Sequence, residues 1–379
     1  ADLEQVLPIA KSLYDKGFEI HGIFSSKLSY GYGSRYIKRK YIHQNAVEIE
    51  DYYLFIKSVL QKERYVSIIP MRDSAAEVMC KYRDDLLQYT AYVMPDADGF
   101  ERGFDKQRLM EVCKMHGYPH PETYIVRNGS LCGLDIEEIR YPVLIKPNHT
   151  FGARGMTLCR NKDELEKKYP IIFNQFGECH LQTYIPEGGH QVEVQIYINE
   201  KQELVQSSVI KKFRWYPNKG GSSCCNISCK NEKIVDICYK VLKSIGWVGF
   251  ADFDTIEDPR TGELLIMEIN PRVPACVKSA FASGIDWADV IVGEYLKKSH
   301  KVYQMNREVY LRFLGVEVLW FLKSENKWHT KPNWFNFFGK DIFYQDMSDW
   351  TDPMPFIRGT IGNIKKQLSP EFRKSKAGV

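Results

Sequence analysis

Apolar residues recur at helical spacing at the start of the chain and then alternate with polar residues, which predicts helices and strands in turn. This order is typical of a parallel α/β layer, which we assign to residues 1–98. The predicted elements are a helix over 3–14 that ends at Gly17, strand 18–24, a helix over roughly 47–63, strand 65–71, a helix capped by Asp73, and strand 89–95.

The pattern changes after a boundary at residues 95–103. Asp105 is predicted to cap a helix that ends at Gly117, and strands joined by hairpins follow, with helices between them. A last clear helix is predicted to begin near Asp286. The main predicted strands are QVEVQIYI (191–198), ELVQSSVIKKF (203–213), VGFADFDT (248–255) and ELLIMEIN (263–270).

The remainder, residues 301–379, has weaker periodicity but is rich in aromatic side chains. Disordered tails are poor in aromatics, so a folded appendage is predicted there. It holds four of the seven tryptophans, Trp320, Trp328, Trp334 and Trp350.

The charge balance and the cysteine content indicate the broad class of protein. Lys and Arg total 52 against 48 Asp and Glu, and this balance favours neither nucleic-acid binding nor membrane insertion. The basic end, Arg373 to Lys376, is interpreted as a solvated tail. Ten cysteines without a regular framework indicate reduced thiols in a cytoplasmic protein, and the acidic opening with Asp2 and Glu4 does not resemble a signal peptide.

Two predicted strands carry polar side chains on one face. Asp252 and Asp254 share a face, and so do Glu268 and Asn270, because residues two apart in a strand point the same way. If the strands pair as a hairpin, Asp252, Glu268 and Asn270 converge. Three hard oxygen ligands on a rigid sheet suit Mg²⁺, although a polar face that meets water gives the same pattern.

Another group of features suits phosphate binding. YPVLIKP (141–147) is a short apolar strand that ends in Lys146, directly before the glycine loop NHTFGARGM (148–156). Glycines let backbone N–H groups approach phosphate oxygens. HLQTYIPEGG (180–189) runs from a strand into a turn, a suitable edge for a flat base. The sequence contains no Walker A motif, so this would be a different phosphate cradle.

In this order the stretches resemble the ATP-grasp superfamily over roughly residues 100–298. The resemblance implies an α/β (α+β ATP-grasp) fold: a parallel pre-ATP-grasp domain (1–98), a two-lobed ATP-grasp domain with antiparallel sheets (99–300; small lobe about 120–185, large lobe about 186–300), and an aromatic-rich extension (301–379) packed on the large lobe. The matching motifs are FDK (104–106), YPVLIKP (141–147), FGARGM (151–156), LQTYI (181–185), QVEVQ (191–195), FADFD (250–254) and MEINPR (267–272).

The resemblance implies contacts to ATP and to one or two Mg²⁺ ions, with Mn²⁺ as a substitute. The family usually has Glu where Gln182 stands, and Gln can still hydrogen-bond an adenine amine. Asp252, Glu268 and Asn270 would be the metal ligands. The residues assigned to ATP are Lys106 and Lys146 on the phosphates, Gly152, Arg154 and Gly155 in the loop over them, Gln182 with the backbone at Tyr184 and Ile185 on adenine, and Glu187 or His190 on ribose.

Arg272, Lys146 and Arg214 are implied to act on the reacting groups, with Arg272 steadying the charge of phosphoryl transfer. Arg214 lies in KKFRWYPNKGGSS (211–223), which we place over the phosphates and the acid substrate, with solvent exposure at a hairpin end as the alternative. Ser34 and Arg35 either reach the site from the first domain or lie on an exposed basic surface.

The segment 211–223, MEINPR and DWTDPMPF (349–356) look most like the D-aspartate ligase-like, carbamoyl-phosphate-synthase-like group. That group joins a carboxylate to an amine through an acylphosphate, with release of ADP and phosphate. Its substrates would be a small-molecule acid and amine, and homodimers are common among relatives. The alternatives are an enzyme that activates bicarbonate, of carboxylase or carbamoyl-phosphate type, and an inactive ATP-binding regulatory protein.

Overall fold

A computed structural model describes residues 1–44, 48–149, 154–216, 222–325, 327–347 and 349–368. The N-terminal layer pairs two parallel strands, with Ile20 opposite Ile37 and Phe24 opposite Ile42. Its elements are α1 (Val6–Asp15), β1 (Ile20–Phe24), α2 (Tyr30–Gly33), β2 (Ile37–Ile42), α3 (Ile49–Leu60), α4 (Asp73–Lys81), α5 (Arg83–Leu86) and α6 (Ala97–Phe104).

The predicted strands at 65–71 and 89–95 are wrong as regular strands. Within the described ranges they meet only at a single parallel bridge between Ser67 and Ala91, with N–O distances of 3.4 Å. Pro70 and Pro95 close the two segments and have no N–H to donate, which limits the ladder. The basic strand β2 was not predicted from its sequence.

A small antiparallel sheet follows α7 (Lys106–His116). Helix α7 begins as predicted, because the Asp105 side chain accepts a hydrogen bond from the Arg108 N–H, and it ends at Gly117, whose φ of 69° is left-handed. The sheet has the order β3-β6-β4-β5 and packs its own core against a helix. These elements are β3 (Thr123–Tyr124), β4 (Val143–Pro147), β5 (Thr157–Cys159), α8 (Lys162–Phe176) and β6 (Cys179–Thr183).

The large sheet has the order β11-β10-β7-β8-β9-β12-β13, and its first five strands pair antiparallel. One apolar core joins it to the N-terminal layer, since Leu13 and Ile56 belong to the same buried cluster as Val194, Phe253 and Trp287. The elements are β7 (Gln191–Ile198), β8 (Leu204–Tyr216), β9 (Ser222–Cys229), α9 (Glu232–Ser244), β10 (Gly249–Glu257), β11 (Leu264–Asn270), α10 (Lys278–Ala282) and α11 (Trp287–Tyr295).

The C-terminal extension adds β12 (Tyr310–Arg312) and β13 (Ile342–Tyr344) to the large sheet, together with α12 (Leu314–Lys323) and α13 (Met354–Leu368). Helix α13 packs on α2, so the extension also contacts the N-terminal layer. The predicted α/β class with parallel and antiparallel sheets is confirmed. Among the described residues, no helix combines the length and the apolar character needed to cross a bilayer.

Candidate nucleotide and metal site

The polar face predicted for the hairpin exists. Strands β10 and β11 pair antiparallel, with Asp252 opposite Asn270 and Asp254 opposite Glu268. Strand β7 lies on the other side of β10 and places Glu193 opposite Asp254. Because alternate residues share a face, one side of three neighbouring strands collects these four carboxylates together with the Asn270 amide.

Lysine and arginine side chains balance part of this negative charge. Lys212 Nζ, from β8, lies 2.7 Å from Asp254 Oδ1 and 3.0 Å from Glu193 Oε2. Arg272 Nε lies 3.2 Å from Asp73 Oδ1, at the start of α4. The Arg272–Asp73 contact joins the residues after β11 to the N-terminal layer. Without these cations the clustered carboxylates would repel one another.

The two aspartates of β10 differ in environment. Burial raises the pKa of Asp252 well above its ordinary value, and the charges of Glu193 and Asp254 act in the same direction. Burial also disfavours the charged form of Asp254, but Lys212 outweighs it and holds that pKa below its ordinary value. Asp254 is therefore the more readily ionised of the two aspartates.

This geometry revises the predicted ligand set. The Asp252 side chain is fully buried and lies behind Asn270, whose Nδ2 donates toward Asp252 Oδ2 at 3.4 Å and toward Asp254 Oδ2 at 3.2 Å. Asp254 and Glu268 are 30% and 33% exposed and face each other across the hairpin. An ion entering from solvent would meet Asp254, Glu268 and Asn270 first.

The donor set fits Mg²⁺. The available atoms are hard carboxylate and amide oxygens on a rigid sheet, the ligands that Mg²⁺ prefers. Asp252 Oδ1 is also buried without a hydrogen-bond partner among the described residues, so one oxygen of the cluster is left to accept from a group that enters the site. Asp254, Glu268 and Asn270 would hold the ion, with Asp252 behind them.

Two lysines approach the same cluster from different elements. Lys106, at the first position of α7, places Nζ 3.3 Å from Glu268 Oε2. Lys146, near the end of β4, is buried, and burial lowers its pKa to about 8 although the charge of Glu268 opposes that effect. The structure thus brings Lys106 and Lys146 close to Glu268, and their contact with phosphates stays a prediction.

The predicted adenine side joins β4 to β6. Lys146 Nζ donates to Gln182 Oε1 at 2.9 Å, and Gln182 Nε2 faces the Thr123 hydroxyl at 3.4 Å. The Tyr184 N–H already donates to the Pro142 carbonyl at 3.0 Å, so this amide is engaged within the small sheet. The backbone at Ile185 is the remaining predicted edge for adenine.

The ribose candidates lie in the turn between β6 and β7. Glu187 is exposed, and its backbone bridges to Gly189. The backbone N–H of His190 donates to Glu257 Oε2 at 3.1 Å, and its ring is 6.1 Å from the Phe213 ring. Glu187 is thus the more accessible of the two, as a group that meets a sugar hydroxyl should be.

Part of the glycine loop lies outside the described residues, including Gly152. Gly155 is described and needs to be glycine: its φ is +75°, and a Cβ there would come within 2.8 Å of the Phe176 ring. Arg154 is exposed and lies near Lys366 of α13, whose pKa is lowered by burial first and then by the Arg154 charge. The position of Arg154 next to phosphates stays a prediction.

The structure contradicts the predicted position of Arg214 over the phosphates. Its guanidinium is buried and faces the C-terminal extension, with Nη1 3.0 Å from Glu317 Oε1 and Nη2 donating to the Pro332 carbonyl at 2.8 Å. Arg214 Cζ also lies over the Trp320 ring, 5.1 Å from its centre. These partners fix Arg214 in the interior, so the structure does not bring it to the phosphates.

Ser34 and Arg35 do not reach the carboxylates either. The Ser34 hydroxyl donates to Asp352 Oδ2 at 2.6 Å, and Arg35 Nη1 donates to the Thr351 carbonyl at 3.2 Å. Both residues hold the C-terminal extension against the N-terminal layer.

The residues that sequence reasoning did not assign to the carboxylate cluster are Asp254, Glu193, Lys212 and Asp73. Period-two alternation already placed Asp254 on the correct face, but the hairpin register that sets it opposite Glu268 could not be read from the sequence. Glu193 and Lys212 alternate in the same way on β7 and β8, and only the strand order makes them neighbours of β10.

Comparison with known proteins identifies the middle of the chain. Residues 105–296 match the family model described as Carbamoyl-phosphate synthase L chain, ATP binding domain, which is 192 of the 379 residues. Over 243 residues the chain is 27% identical to the D-aspartate ligase of Enterococcus faecium (strain Aus0004), covering 58% of this chain and 58% of that protein. The chain spans about half the length of the curated relatives it matches.

Solved structures show the same fold. A biotin carboxylase from Campylobacter jejuni superposes with a TM-score of 0.67 at 16% identity, over 82% of this chain and 73% of that one. N5-carboxyaminoimidazole synthetase from Staphylococcus aureus, complexed with ADP, superposes with a TM-score of 0.63 at 14% identity, over 82% and 79% of the two chains. At these identities the similarity establishes the architecture alone.

Proposed function

The chain belongs to the ATP-grasp family of carbamoyl-phosphate synthase L chain ATP-binding domains, and on that basis we propose that it is an ATP- and Mg²⁺-dependent ligase that joins a carboxylate to an amine. One observation carries the proposal. Lys106 and Lys146 approach Glu268 from two separate elements, on the sheet face that also holds Asp254 and Asn270. Two cations beside paired carboxylates suit a triphosphate with its metal.

The proposed reaction has two steps. A carboxylate oxygen of the acid attacks the γ-phosphorus of ATP, the bond from that phosphorus to the β-phosphate oxygen breaks, and ADP leaves. The amine nitrogen then attacks the acyl carbon of the acylphosphate, phosphate leaves with the bonding electron pair, and the nitrogen loses a proton. Activation is needed because an unactivated carboxylate has only oxide or hydroxide as a leaving group.

The protein's own residues position groups and neutralise charge. Lys146 and Lys106 would hold phosphate oxygens, and Asp254, Glu268 and Asn270 would hold the metal. Bound Mg²⁺ supplies charge neutralisation at the phosphate oxygens.

Arg272 belongs to the same group. Its Nη2 donates to Asn270 Oδ1 at 3.3 Å, and Asp73 fixes its other edge. The guanidinium is therefore held beside the metal ligands, where it would stabilise the charge that develops during transfer.

The relatives support the ligase assignment in different degrees. The curated D-aspartate ligase is a ligase of an amino acid by name and aligns over more than half of this chain. A 2-oxoglutarate carboxylase small subunit from Hydrogenobacter thermophilus, 26% identical over 237 residues, favours bicarbonate as the acid instead. The choice between them is therefore an experimental one.

Phosphate release from ATP tests the proposal. The purified chain is incubated with Mg²⁺ and ATP and given panels of amino acids and small carboxylic acids, with and without amines, and separately bicarbonate. Release that requires both an acid and an amine supports the ligase. Release with bicarbonate alone supports the carboxylase, and ATP binding without release under any mixture contradicts both.

The variant Glu268→Gln ties any activity to this site. We expect it to lose most turnover and keep the fold, because it removes one carboxylate of the metal cluster. Glu263→Gln, at the exposed turn of the same hairpin, is the matched control and should behave as wild type. Equal activity in both variants would contradict the metal assignment.

A further inference from the structure

Helix α13 presents an apolar stripe to solvent. Met354, Ile357, Ile361, Ile364 and Leu368 recur at spacings of three and four residues and are 40–65% exposed. This spacing places all five on one side of the helix. A helix whose apolar stripe is this exposed among the described residues is a candidate docking face.

The opposite side of α13 is fixed to the body of the protein. A Cβ at Gly359 would collide with the Tyr30 ring, and one at Gly362 would come within 2.7 Å of the Leu28 carbonyl oxygen. Asn363 Nδ2 also donates to the Tyr30 hydroxyl at 2.9 Å. The helix therefore approaches α2 closely through its small residues and holds the apolar stripe outward.

The charged side chains of helix α13 all have one sign, since it contains Arg358, Lys365 and Lys366 and no Asp or Glu. Arg358 and Lys365 lie beside the stripe, whereas Lys366 lies on the opposite side and interacts with the charge of Glu4. Arg358 and Lys40 of β2 both lie over the Tyr32 ring, at 5.8 and 5.5 Å from its centre, so the basic region continues onto the N-terminal layer. Further along the sequence, residues 373–376 (RKSK) add three more basic side chains.

We propose that α13 docks the protein on the surface of an anionic membrane, with the apolar stripe among the acyl chains and the basic side chains at the headgroups. A helix with an apolar face and a basic polar face is the pattern of surface-bound helices. Trp350, four residues before the helix, is 88% exposed, and tryptophan is enriched at membrane interfaces. The helix would lie along the surface, not cross it.

A second copy of the chain fits this face less well. With Met354, Ile361 and Leu368 as the a positions of a heptad, the flanking e positions are Arg358 and Lys365. No acidic residue in the helix could pair with them, so two such helices would bring like charges together. An anionic surface supplies a counter-charge for both Arg358 and Lys365.

Vesicle binding of the full chain tests the proposal. Flotation is measured with vesicles of phosphatidylcholine alone and with vesicles that also contain phosphatidylglycerol, at low and high salt. Ile361→Asp combined with Ile364→Asp should weaken binding to the anionic vesicles at least about tenfold, because apolar area can no longer be buried. Lys365→Glu should weaken it about fivefold, and high salt should act in the same direction.

The matched control is Ile171→Asp, which changes an isoleucine on α8 that is 64% exposed. It should bind like wild type, and thermal unfolding should show that all variants fold. Absence of binding to anionic vesicles, or binding that the stripe variants leave unchanged, would overturn the proposal. So would a dimer in solution that Ile361→Asp dissociates, or an acidic protein partner that needs the stripe while vesicles do not bind.

Discussion

Arg214→Met is predicted to destabilise the protein and to leave the turnover of folded molecules unchanged. Arg214 and Arg312 both contact Glu317, at 3.0 and 2.6 Å, and the three side chains are at most 1% exposed. Arg312 further donates to the Trp334 carbonyl. This buried group joins β8 of the large sheet to the C-terminal extension, which is a structural task.

The size of the loss in unfolding free energy depends on which buried charge the substitution leaves unpaired. Arg214→Met leaves Arg312 and Glu317 paired, so its cost lies at the lower end for breaking a buried ion pair, about 3 kcal/mol. Glu317→Gln leaves two buried guanidinium groups without a counter-charge and is predicted to cost more, about 5 kcal/mol. The predicted order of the two variants is as informative as either value.

Denaturant unfolding gives the free energies, and phosphate release per folded molecule gives the activity. Arg307→Met is the control. Arg307 is 46% exposed, and its Nη1 is as far as 4.0 Å from Asp341 Oδ1, so this variant should change neither the free energy of unfolding nor the activity. Lost turnover at unchanged stability would refute the reasoning and return Arg214 to the reacting groups. So would a larger loss of stability for Arg214→Met than for Glu317→Gln.

Three further predictions concern other parts of the molecule. Burial raises the pKa of Glu4 from 4.5 to about 7. Between these values the folded state keeps a proton that the unfolded chain has released, so the free energy of unfolding falls as pH rises. In Glu4→Gln this decrease between pH 5 and pH 8 should be smaller by up to about 3 kcal/mol, measured by unfolding at the two pH values. Lys146→Ala should weaken ATP binding about tenfold or more in calorimetry, since a charged hydrogen bond to phosphate is lost. Asp254→Asn should reduce Mn²⁺ affinity more than Asp252→Asn does, because only Asp254 is exposed next to Glu268.

These predictions fail in distinct ways. A Glu4→Gln variant with the same pH dependence as wild type would mean that Glu4 ionises normally. Unchanged ATP affinity in Lys146→Ala would remove that lysine from the phosphates. If Asp252→Asn lost more Mn²⁺ affinity than Asp254→Asn, the ligand set first predicted from the sequence would be correct.

Local periodicity in the sequence predicted which side chains share a face of a strand. Alternation in 263–270 placed Glu268 and Asn270 on one face, and in the structure Glu268 lies opposite Asp254 and Asn270 lies opposite Asp252. The ATP-grasp resemblance, built from seven short motifs, is confirmed by the family match. Helix α7 is also confirmed, because its cap at Asp105 and its end at Gly117 are local signals.

Long-range geometry accounts for the rest. The register that pairs Asp254 with Glu268 and the strand order that brings Lys212 to Asp254 depend on the whole sheet. Arg214 resembled a phosphate ligand because its neighbours in sequence are basic and glycine-rich. Its partner Glu317 is about one hundred residues away in a region with weak periodicity, so the buried pair could not be inferred.

The central claim is that Asp254, Glu268 and Asn270 hold the divalent cation that positions ATP between Lys106 and Lys146. A crystal structure with Mg²⁺, ADP and an acylphosphate analogue tests it directly. The predicted result is an ion about 2.0–2.1 Å from oxygens of Asp254 and Glu268, with both lysines on phosphate oxygens. An ion bound elsewhere, or nucleotide phosphates remote from Lys146, would contradict the account.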